Sequence, residues 1–299
     1  MESESVPQRI GYQGVPGAYS EEALRAFVPA ATPVPLRALP DVFAALDAGE
    51  IDRALVPVEN SHAGSVAEAY DLMLQYPVTV GAEYVHQVRH FLLGVRGAAR
   101  SDIETVFSHP QALAQSDDFL REAQLEVVPF YDTAGAAQMV AERQNRHLAA
   151  VAGRLAGEHY GLEVLAEEIQ TAGDNATRFF LLQSGEWTPE RTVINGAPGR
   201  TSLVFGVEHQ PGALVRALTC FARERVNLSR LESRPSRRRP WEYLFFADVE
   251  GYAGEPRLRA ALRELGRLNP FVRVLGSYPA GQPVVQPDDL VPAPAEAAS

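Results

Sequence analysis

Residues 173–182 read Gly-Asp-Asn-Ala-Thr-Arg-Phe-Phe-Leu-Leu, and the stretch joins two kinds of signal. Gly-Asp-Asn is turn chemistry, because Asx side chains bond their own backbone and glycine accepts positive φ. Phe179–Leu182 is a short apolar run stopped by Gln183, Ser184 and Gly185, which predicts a buried strand. Thr177 and Arg178 then stand at the mouth of a strand, a hydroxyl beside a permanent cation, where α/β proteins keep their sites. Taken alone the pair is an ordinary β-branched residue and a structural Arg. The motifs around it overturn that reading.

Upstream, strands alternate with helices. Residues 9–12 predict a strand, and Ser20 caps a helix that begins Glu21-Glu22, acidic residues suited to the helix dipole. A helix is expected over 40–48 and a strand over 53–58. The strand runs into the polar turn Glu59-Asn60-Ser61-His62-Ala63-Gly64, and a helix over 65–75 follows. Strand, polar turn and helix together present N–H groups and a positive dipole end to an anion. Residues 78–95 are strand-like and carry the chain toward a second lobe. There the pattern repeats: strand 103–107, turn 108–111, helix 112–123, strand 125–130, cap Asp132-Thr133, helix 134–143, strand 148–151 and a helix through Tyr160. This alternation predicts α/β architecture with largely parallel sheets. Beyond a polar stretch with three glycines and two prolines the grammar changes to a βαββαβ unit, the ferredoxin-like motif: strand 202–208, helix 212–224, strands 227–232 and 242–249, helix 256–265 and strand 272–278.

Composition narrows the function. With 299 residues, 46% of them hydrophobic, the chain can bury one large core or two ordinary ones. A net charge of −11 argues against nucleic acid and anionic membrane as partners. The single Cys220 excludes a disulfide framework and every multi-cysteine metal site, and it reads as a small buried apolar residue. The scattered histidines have no ligand spacing, so no metal is expected. Every basic side chain is Arg and none is Lys, which removes Schiff-base chemistry. No apolar run is long enough to span a membrane and the first residues lack a signal-peptide pattern, so a cytoplasmic protein is expected. The glycines at 11, 14 and 17 follow G-x-x-G-x-x-G and not the dinucleotide fingerprint.

The motifs become specific in combination. The chain carries Gly11-Tyr-Gln-Gly14 with Gly17-Ala-Tyr-Ser20, Pro57-Val-Glu-Asn-Ser61 with Gly64, Ser108-His-Pro-Gln-Ala-Leu-Ala-Gln115, Asp132-Thr-Ala and Asn175-Ala-Thr-Arg-Phe179. Later come Gly212-Ala-Leu214, Asn227-Leu228, Glu232-Ser-Arg-Pro235 and Trp241-Glu-Tyr-Leu-Phe-Phe. With them the chain resembles a monofunctional prephenate dehydratase bearing a C-terminal ACT regulatory domain, over nearly its whole length. Three departures stand out: Ser116 where the family often has Cys, Gly135 where it has Ala, and Ala176 where a bulkier apolar residue is usual.

The resemblance implies two α/β lobes, like the type II periplasmic-binding-protein arrangement, with a cleft between them to which residues 177–178 return. It places the dehydratase domain at 8–184, its second lobe at about 80–175, a linker at 185–200, the ACT domain at 202–279 and a disordered tail at 280–299. It implies conversion of prephenate to phenylpyruvate, with loss of CO₂ and the ring hydroxyl. Aromatisation drives that reaction, so no cofactor is expected. By resemblance Thr177 meets the departing hydroxyl, Arg178 pairs with a carboxylate, and Phe179 is wall and core together. Ser20, Asn60, Ser61 and Thr133 add neutral donors, with Gly64, Gln111 and Asn175 completing the substrate set. Glu59 belongs there as an acid–base group or, since a carboxylate repels a bound dianion, rather as a hydrogen-bonding or structural one. His109 either fixes its turn or touches substrate. In the ACT domain, L-phenylalanine is expected at an interface shared between copies, lined by Gly212, Ala213, Leu214, Asn227, Leu228, Glu232, Ser233, Arg234 and Pro235. A homodimer or homotetramer follows. The rivals are an arogenate dehydratase with the same motifs and a non-catalytic amino-acid sensor. No fused chorismate mutase is expected, because the first motif begins at Gly11, and no dehydrogenase, because the fingerprint is missing.

Overall fold

β1 (Arg9–Gln13) buries Ile10 and Tyr12, and the chain then turns through Gly17 into α1 (Tyr19–Phe27), which faces Ala23, Leu24 and Phe27 inward. Gly17 is required there. Its φ is +85°, and a Cβ on it would lie 2.7 Å from Ala156 Cα. The computed structural model of the chain describes residues 7–236 and 243–281. The elements continue with β2 (Thr32–Leu36), α2 (Leu39–Asp47), β3 (Arg53–Asn60), β4 (Gly64–Ser65), α3 (Ala67–Gln75), β5 (Val78–Gln87) and β6 (Phe91–Gly94). After these come β7 (Thr105–Ser108), α4 (Pro110–Gln115), α5 (Asp117–Glu122), β8 (Glu126–Pro129), α6 (Thr133–Arg143), β9 (Leu148–Ala152), α7 (Arg154–Tyr160), β10 (Glu163–Ala166) and β11 (Ala176–Ser184). The last are β12 (Gly199–Gly206), α8 (Ala213–Arg223), β13 (Leu228–Pro235), β14 (Tyr243–Glu250), α9 (Pro256–Leu268) and β15 (Phe271–Pro279).

Three sheets result. The first has the order β2-β1-β3-β11-β5, with β1 parallel to both neighbours and β4 folded back on β3. The second runs β10-β6-β9-β7-β8, parallel around β7 and antiparallel at β6. Apolar clusters cover it, one including Leu93, Val140 and Ala152, another Val106, Leu120 and Val151. These sheets are the centres of two α/β lobes, mixed and not wholly parallel. The third sheet, β13-β14-β12-β15, is antiparallel and carries α8 and α9 on a core of Leu203, Phe205, Phe221, Val249, Leu258 and Leu265. It is the βαββαβ unit.

Several elements differ from expectation. β2 was not anticipated, since Pro33 and Pro35 cannot donate to a ladder; it lies at the edge of its sheet, where that is tolerated. The helix read as 112–123 is two, α4 and α5, broken at Ser116. β3 runs through Asn60, so part of the expected polar turn is strand. Trp241 and Glu242, the Arg run 237–239 and the tail from 282 onward lie outside the described residues.

One compact unit takes the chain through Leu72 and again over Tyr84–Phe179; the other takes Met73–Glu83 and the chain from Phe180 on. In the second, Arg273 of β15 donates to the carbonyls of Met73 (3.1 Å), Tyr76 (3.1 Å) and Val78 (3.2 Å). A Cβ on Gly276 would lie 2.1 Å from Val80 O, so β15 approaches the start of β5 backbone to backbone. Among the described residues no helix is long and apolar enough to cross a membrane, and no group of three or more His, Cys, Asp or Glu could hold a metal ion.

Candidate active site

The end of β3 builds the centre of the site. Asn60 closes the strand opposite Gly64, whose φ of +79° allows the tight return into β4. In that turn the peptide N–H groups of His62 and Ala63 point back at Asn60 Oδ1, at 3.1 and 2.9 Å, and Gln111 Nε2 adds a donor at 3.3 Å. Peptide N–H groups can only donate, so this geometry assigns the amide. Asn60 Nδ2 therefore faces Asn175 Oδ1 (2.9 Å), Ala176 O (3.2 Å) and Thr177 Oγ1 (3.0 Å), sharing two hydrogens among three acceptors. Thr177 accepts from Asn60. Its own hydrogen is directed elsewhere.

Elsewhere is a cavity of about 270 Å³. Its lining includes Tyr19 and Ser20 at the start of α1, Thr133 at the start of α6 and Gln111 in the first turn of α4. Asn60, His90, His109, Gln115, Asp132, Asn175, Thr177 and Phe179 complete its polar and aromatic walls. The nine-residue α1 begins at this wall without a side-chain cap, which favours an anion, whereas at the start of the eleven-residue α6 the Asp132 carboxyl takes the Gly135 N–H. Burial pushes the Asp132 carboxyl up, against the Gly135 N–H that its cap receives and nearby His109. His109 Nδ1 accepts from Gln111 N at 3.2 Å while the residue also lines the cavity, so it fixes its turn and faces the site. A second cavity of about 340 Å³ shares Gln111, Gln115 and Asn175 with the first.

The expected residues divide. Ser20, Asn60, Gln111, Thr133, Asn175, Thr177 and Phe179 meet at the cavity. Glu59, Ser61, Gly64 and Arg178 do not line it. Ser61 stitches backbone instead, its Oγ donating to Asp174 O (3.1 Å) and accepting from Ala176 N (2.9 Å). Arg178 is not among the residues lining this cavity. A strand turns successive side chains to opposite faces, so Thr177 and Phe179 look into the cavity and Arg178 looks away. Its Nη1 is 3.9 Å from Glu59 Oε2.

Four polar lining residues lie outside the set that the sequence suggests: Tyr19, His90, Gln115 and Asp132. Three of them lie inside motifs that had been read, so adjacency was the available signal; His90 had none. Gln115 Oε1 accepts from Asn175 Nδ2 (3.0 Å) and faces His90 Nε2 at 2.8 Å. Its Nε2 is buried and has no hydrogen-bond partner among the described residues.

In the βαββαβ unit, Gly212 opens α8 at φ +78°. A cavity of about 460 Å³ lies there, lined by residues 207–215 with Tyr243 and Phe245. Gly212, Ala213 and Leu214 are in its wall. Asn227, Leu228, Glu232, Ser233, Arg234 and Pro235 are not; all but Asn227 belong to the edge strand β13, and Asn227 Nδ2 bonds Glu250 Oε1 at 2.8 Å.

Comparison with known proteins bears on this arrangement. The prephenate dehydratase family model matches residues 10–186. The chain belongs to the prephenate dehydratase family. The ACT domain model matches residues 201–267. Arogenate dehydratase/prephenate dehydratase 1 of Arabidopsis thaliana, a chloroplastic protein, is 39% identical over 285 residues, 91% of this chain and 72% of that one. Arogenate dehydratase 2 of Petunia hybrida is 38% identical over 296 residues, 94% and 74% of the two chains. The solved prephenate dehydratase of Arthrobacter aurescens, in complex with L-Phe, is 32% identical with a TM-score of 0.83, covering 97% of this chain and 93% of that one. A structure described as GqqA, a novel type of quorum quenching acylase, is 36% identical with a TM-score of 0.86, covering 92% and 98%.

The prephenate dehydratase departures now have surroundings. A Cβ on Gly135 would lie 2.4 Å from Tyr131 Oη, so the missing methyl makes room for that ring. Ser116 is fully buried, and its hydroxyl has no partner among the described residues. Nothing in the structure explains the small Ala176.

Proposed function

We propose that this chain carries out the decarboxylating dehydration of prephenate to phenylpyruvate in L-phenylalanine biosynthesis, with arogenate as the alternative substrate. The observation that carries the reading is Thr177 Oγ1 accepting from Asn60 at 3.0 Å in a cavity that the start of α1 also lines. In the reaction the bond to the ring carboxylate breaks, and its electron pair enters the ring as CO₂ leaves. The carbon–oxygen bond opposite breaks with its pair on oxygen, which takes a proton and departs as water. Thr177, with its hydrogen turned away from Asn60, supplies a hydrogen bond that strengthens as the leaving oxygen gains charge. A free threonine hydroxyl is too weak an acid for more. The start of α1 with Ser20, Thr133 and Gln111 holds the dianion, and the Gln115 amide, in the same cavity lining and with its nitrogen lacking a partner among the described residues, donates to it.

L-Phenylalanine is assigned to the 460 Å³ cavity at Gly212–Leu214, whose apolar walls suit the ring and whose helix start suits the carboxylate. The Arthrobacter aurescens relative, solved in complex with L-Phe, supports phenylalanine as a ligand. β13 residues 232–235 would contribute across an interface between copies, in a homodimer or homotetramer. An acylase reading finds less support. Among the described residues no histidine or carboxylate is hydrogen-bonded to the hydroxyls of Ser20, Thr133 or Thr177, so none is an activated nucleophile.

The test is product formation from prephenate and from arogenate without added cofactor, by the wild type and by Thr177→Ala and Thr177→Ser. The alanine variant should lose about 10²–10⁴-fold in kcat with little change in substrate binding, and serine should restore part of it. An alanine variant near the wild-type rate would sink the assignment.

A further inference from the structure

Hydrogen-bond directions can be followed outward from Asn60. Peptide N–H groups fix its Oδ1, so its Nδ2 donates to Asn175, and the atom received there is Oδ1. Asn175 Nδ2 consequently donates to Gln115, and that receiving atom is Oε1. His90 Nε2 lies 2.8 Å from the same Oε1 and must carry a hydrogen. With two donors converging on Oε1, Gln115 Nε2 is turned the other way, and Gln115 lines both cavities. On the far side of the imidazole, Tyr19 Oη is 2.6 Å from His90 Nδ1, with the rings edge to face at 5.6 Å. The His90 peptide N–H donates to Gln170 Oε1 at 2.9 Å, and the residue is 1% exposed. Burial holds its imidazolium down, with Glu22 and Gln115 acting the other way, and burial holds the Tyr19 phenol well above its ordinary value. With hydrogen on Nε2, the neutral ring accepts at Nδ1 from the phenol, whose single hydrogen is shared with Arg89 O at 3.1 Å.

We propose that His90 is a positioning residue for the dehydration: clamped between Tyr19 and Gln115, it holds the Gln115 amide with its nitrogen facing the bound dianion. The inference rests on the dehydratase reading of the cavity. A buried histidine with two hydrogen bonds is ordinarily part of a core. Here its partner lines both cavities and carries a buried amide nitrogen with no hydrogen-bond partner among the described residues, and without the clamp the amide can rotate and set its oxygen against a carboxylate. Losing one donor to a charged group and gaining a repulsive oxygen should lower kcat/KM roughly 10- to 100-fold.

The experiment compares wild type, His90→Phe, His90→Gln, Gln115→Met and the His90→Phe/Gln115→Met double variant on prephenate. Phe keeps the ring against Tyr19 and deletes the Nε2 hydrogen; Gln returns a donor at similar reach. His90→Phe is expected to lose about 10- to 100-fold in kcat/KM, and His90→Gln to recover most of it. In the Gln115→Met background, His90→Phe should cost less than about twofold more, because the only route of its effect is gone. Multiplicative losses in the double variant overturn the proposal, and so does a folded His90→Phe with wild-type kcat/KM. If His90→Phe does not fold, ¹⁵N-histidine NMR of the wild type decides: hydrogen on Nε2 supports the clamp and hydrogen on Nδ1 alone overturns it. Wild-type protein that turns over neither prephenate nor arogenate sinks the dehydratase reading itself, a distinct failure.

Discussion

Replacing Asn60 by Asp changes one nitrogen to an oxygen at constant volume, yet it reverses the hydrogen-bond order at Thr177. The new carboxylate keeps the His62 and Ala63 peptide donors. Its other oxygen faces Asn175 Oδ1, Ala176 O and Thr177 Oγ1, three atoms that had been accepting at 2.9 to 3.2 Å. Ala176 O cannot respond, and Asn175 is held in its orientation by Gln115. Only the threonine hydroxyl can turn, and it will donate to the carboxylate. The hydrogen that served the leaving oxygen is withdrawn. Removing one preorganised donor at a developing oxyanion raises a barrier by about 2.7–4 kcal/mol, roughly 10²–10³ in kcat. Two stranded acceptors should lower stability by about 2–4 kcal/mol, which a domain of ordinary stability survives at 25 °C. The assay is phenylpyruvate appearance at saturating prephenate, so that repulsion between the added charge and the substrate falls on KM, with a thermal melt alongside. A folded Asn60→Asp variant with kcat within about threefold of wild type would refute the account of how the Thr177 hydrogen is aimed.

Arg178→Lys should leave KM for prephenate within about threefold, because the guanidinium lies on the far face of β11; a tenfold rise, about 1.4 kcal/mol, would return a substrate carboxylate to it. Ser116→Ala removes a buried hydroxyl without a partner and should raise the melting temperature by an amount equivalent to about 1 kcal/mol; a lower melting temperature would show that the hydroxyl is satisfied in solution. For Glu21, burial pushes the carboxyl up, but the Gly17 N–H, the Tyr12 hydroxyl and Arg25 outweigh it and hold the pKa below its ordinary value. A folded pKa lower than the unfolded one contributes stability that is complete above the ordinary carboxylate range and lost as pH falls through the folded value. Urea midpoints should therefore drop on acidification, and less steeply in Glu21→Gln; equal slopes would remove Glu21 from the effect. Gly212→Val places a β-branched residue at φ +78° and should abolish inhibition by L-phenylalanine while unregulated turnover persists; retained inhibition would move the effector elsewhere.

Much of this architecture could be read from residue order. The βαββαβ unit was legible because glycine and proline punctuate it and its helices keep a clear apolar face. The first two lobes were legible as alternation but not in detail: Pro33 and Pro35 hid an edge strand, and Ser116 broke a helix that looked continuous. The site was half legible. Thr177, Asn60 and Gln111 carry chemistry in recognisable motifs, whereas Arg178 was placed with Thr177 even though period-two alternation separates neighbours on a strand. His90 was beyond reach, because it meets Gln115 only when residues 25 apart are brought together by two sheet strands and a helix. No local pattern announces such a meeting.

The locked amide of Asn60 also bears on how long a molecule stays active. An asparagine followed by a small residue such as Ser61 is prone to spontaneous deamidation, in which the next backbone nitrogen attacks the side-chain amide carbon, ammonia leaves, and water opens the resulting ring to aspartate or isoaspartate. In the folded chain that nitrogen is engaged with Ala176 O at 2.9 Å and the amide is gripped from both ends, so the attack geometry is denied. Unfolding lifts the protection. Each excursion from the native state exposes Asn60-Ser61 to a reaction one of whose products, an aspartate in place of Asn60, carries the same inversion of the Thr177 hydrogen bond, while the other, an isoaspartate, lengthens the backbone at the end of β3. Ageing would then silence turnover before it unfolds the protein.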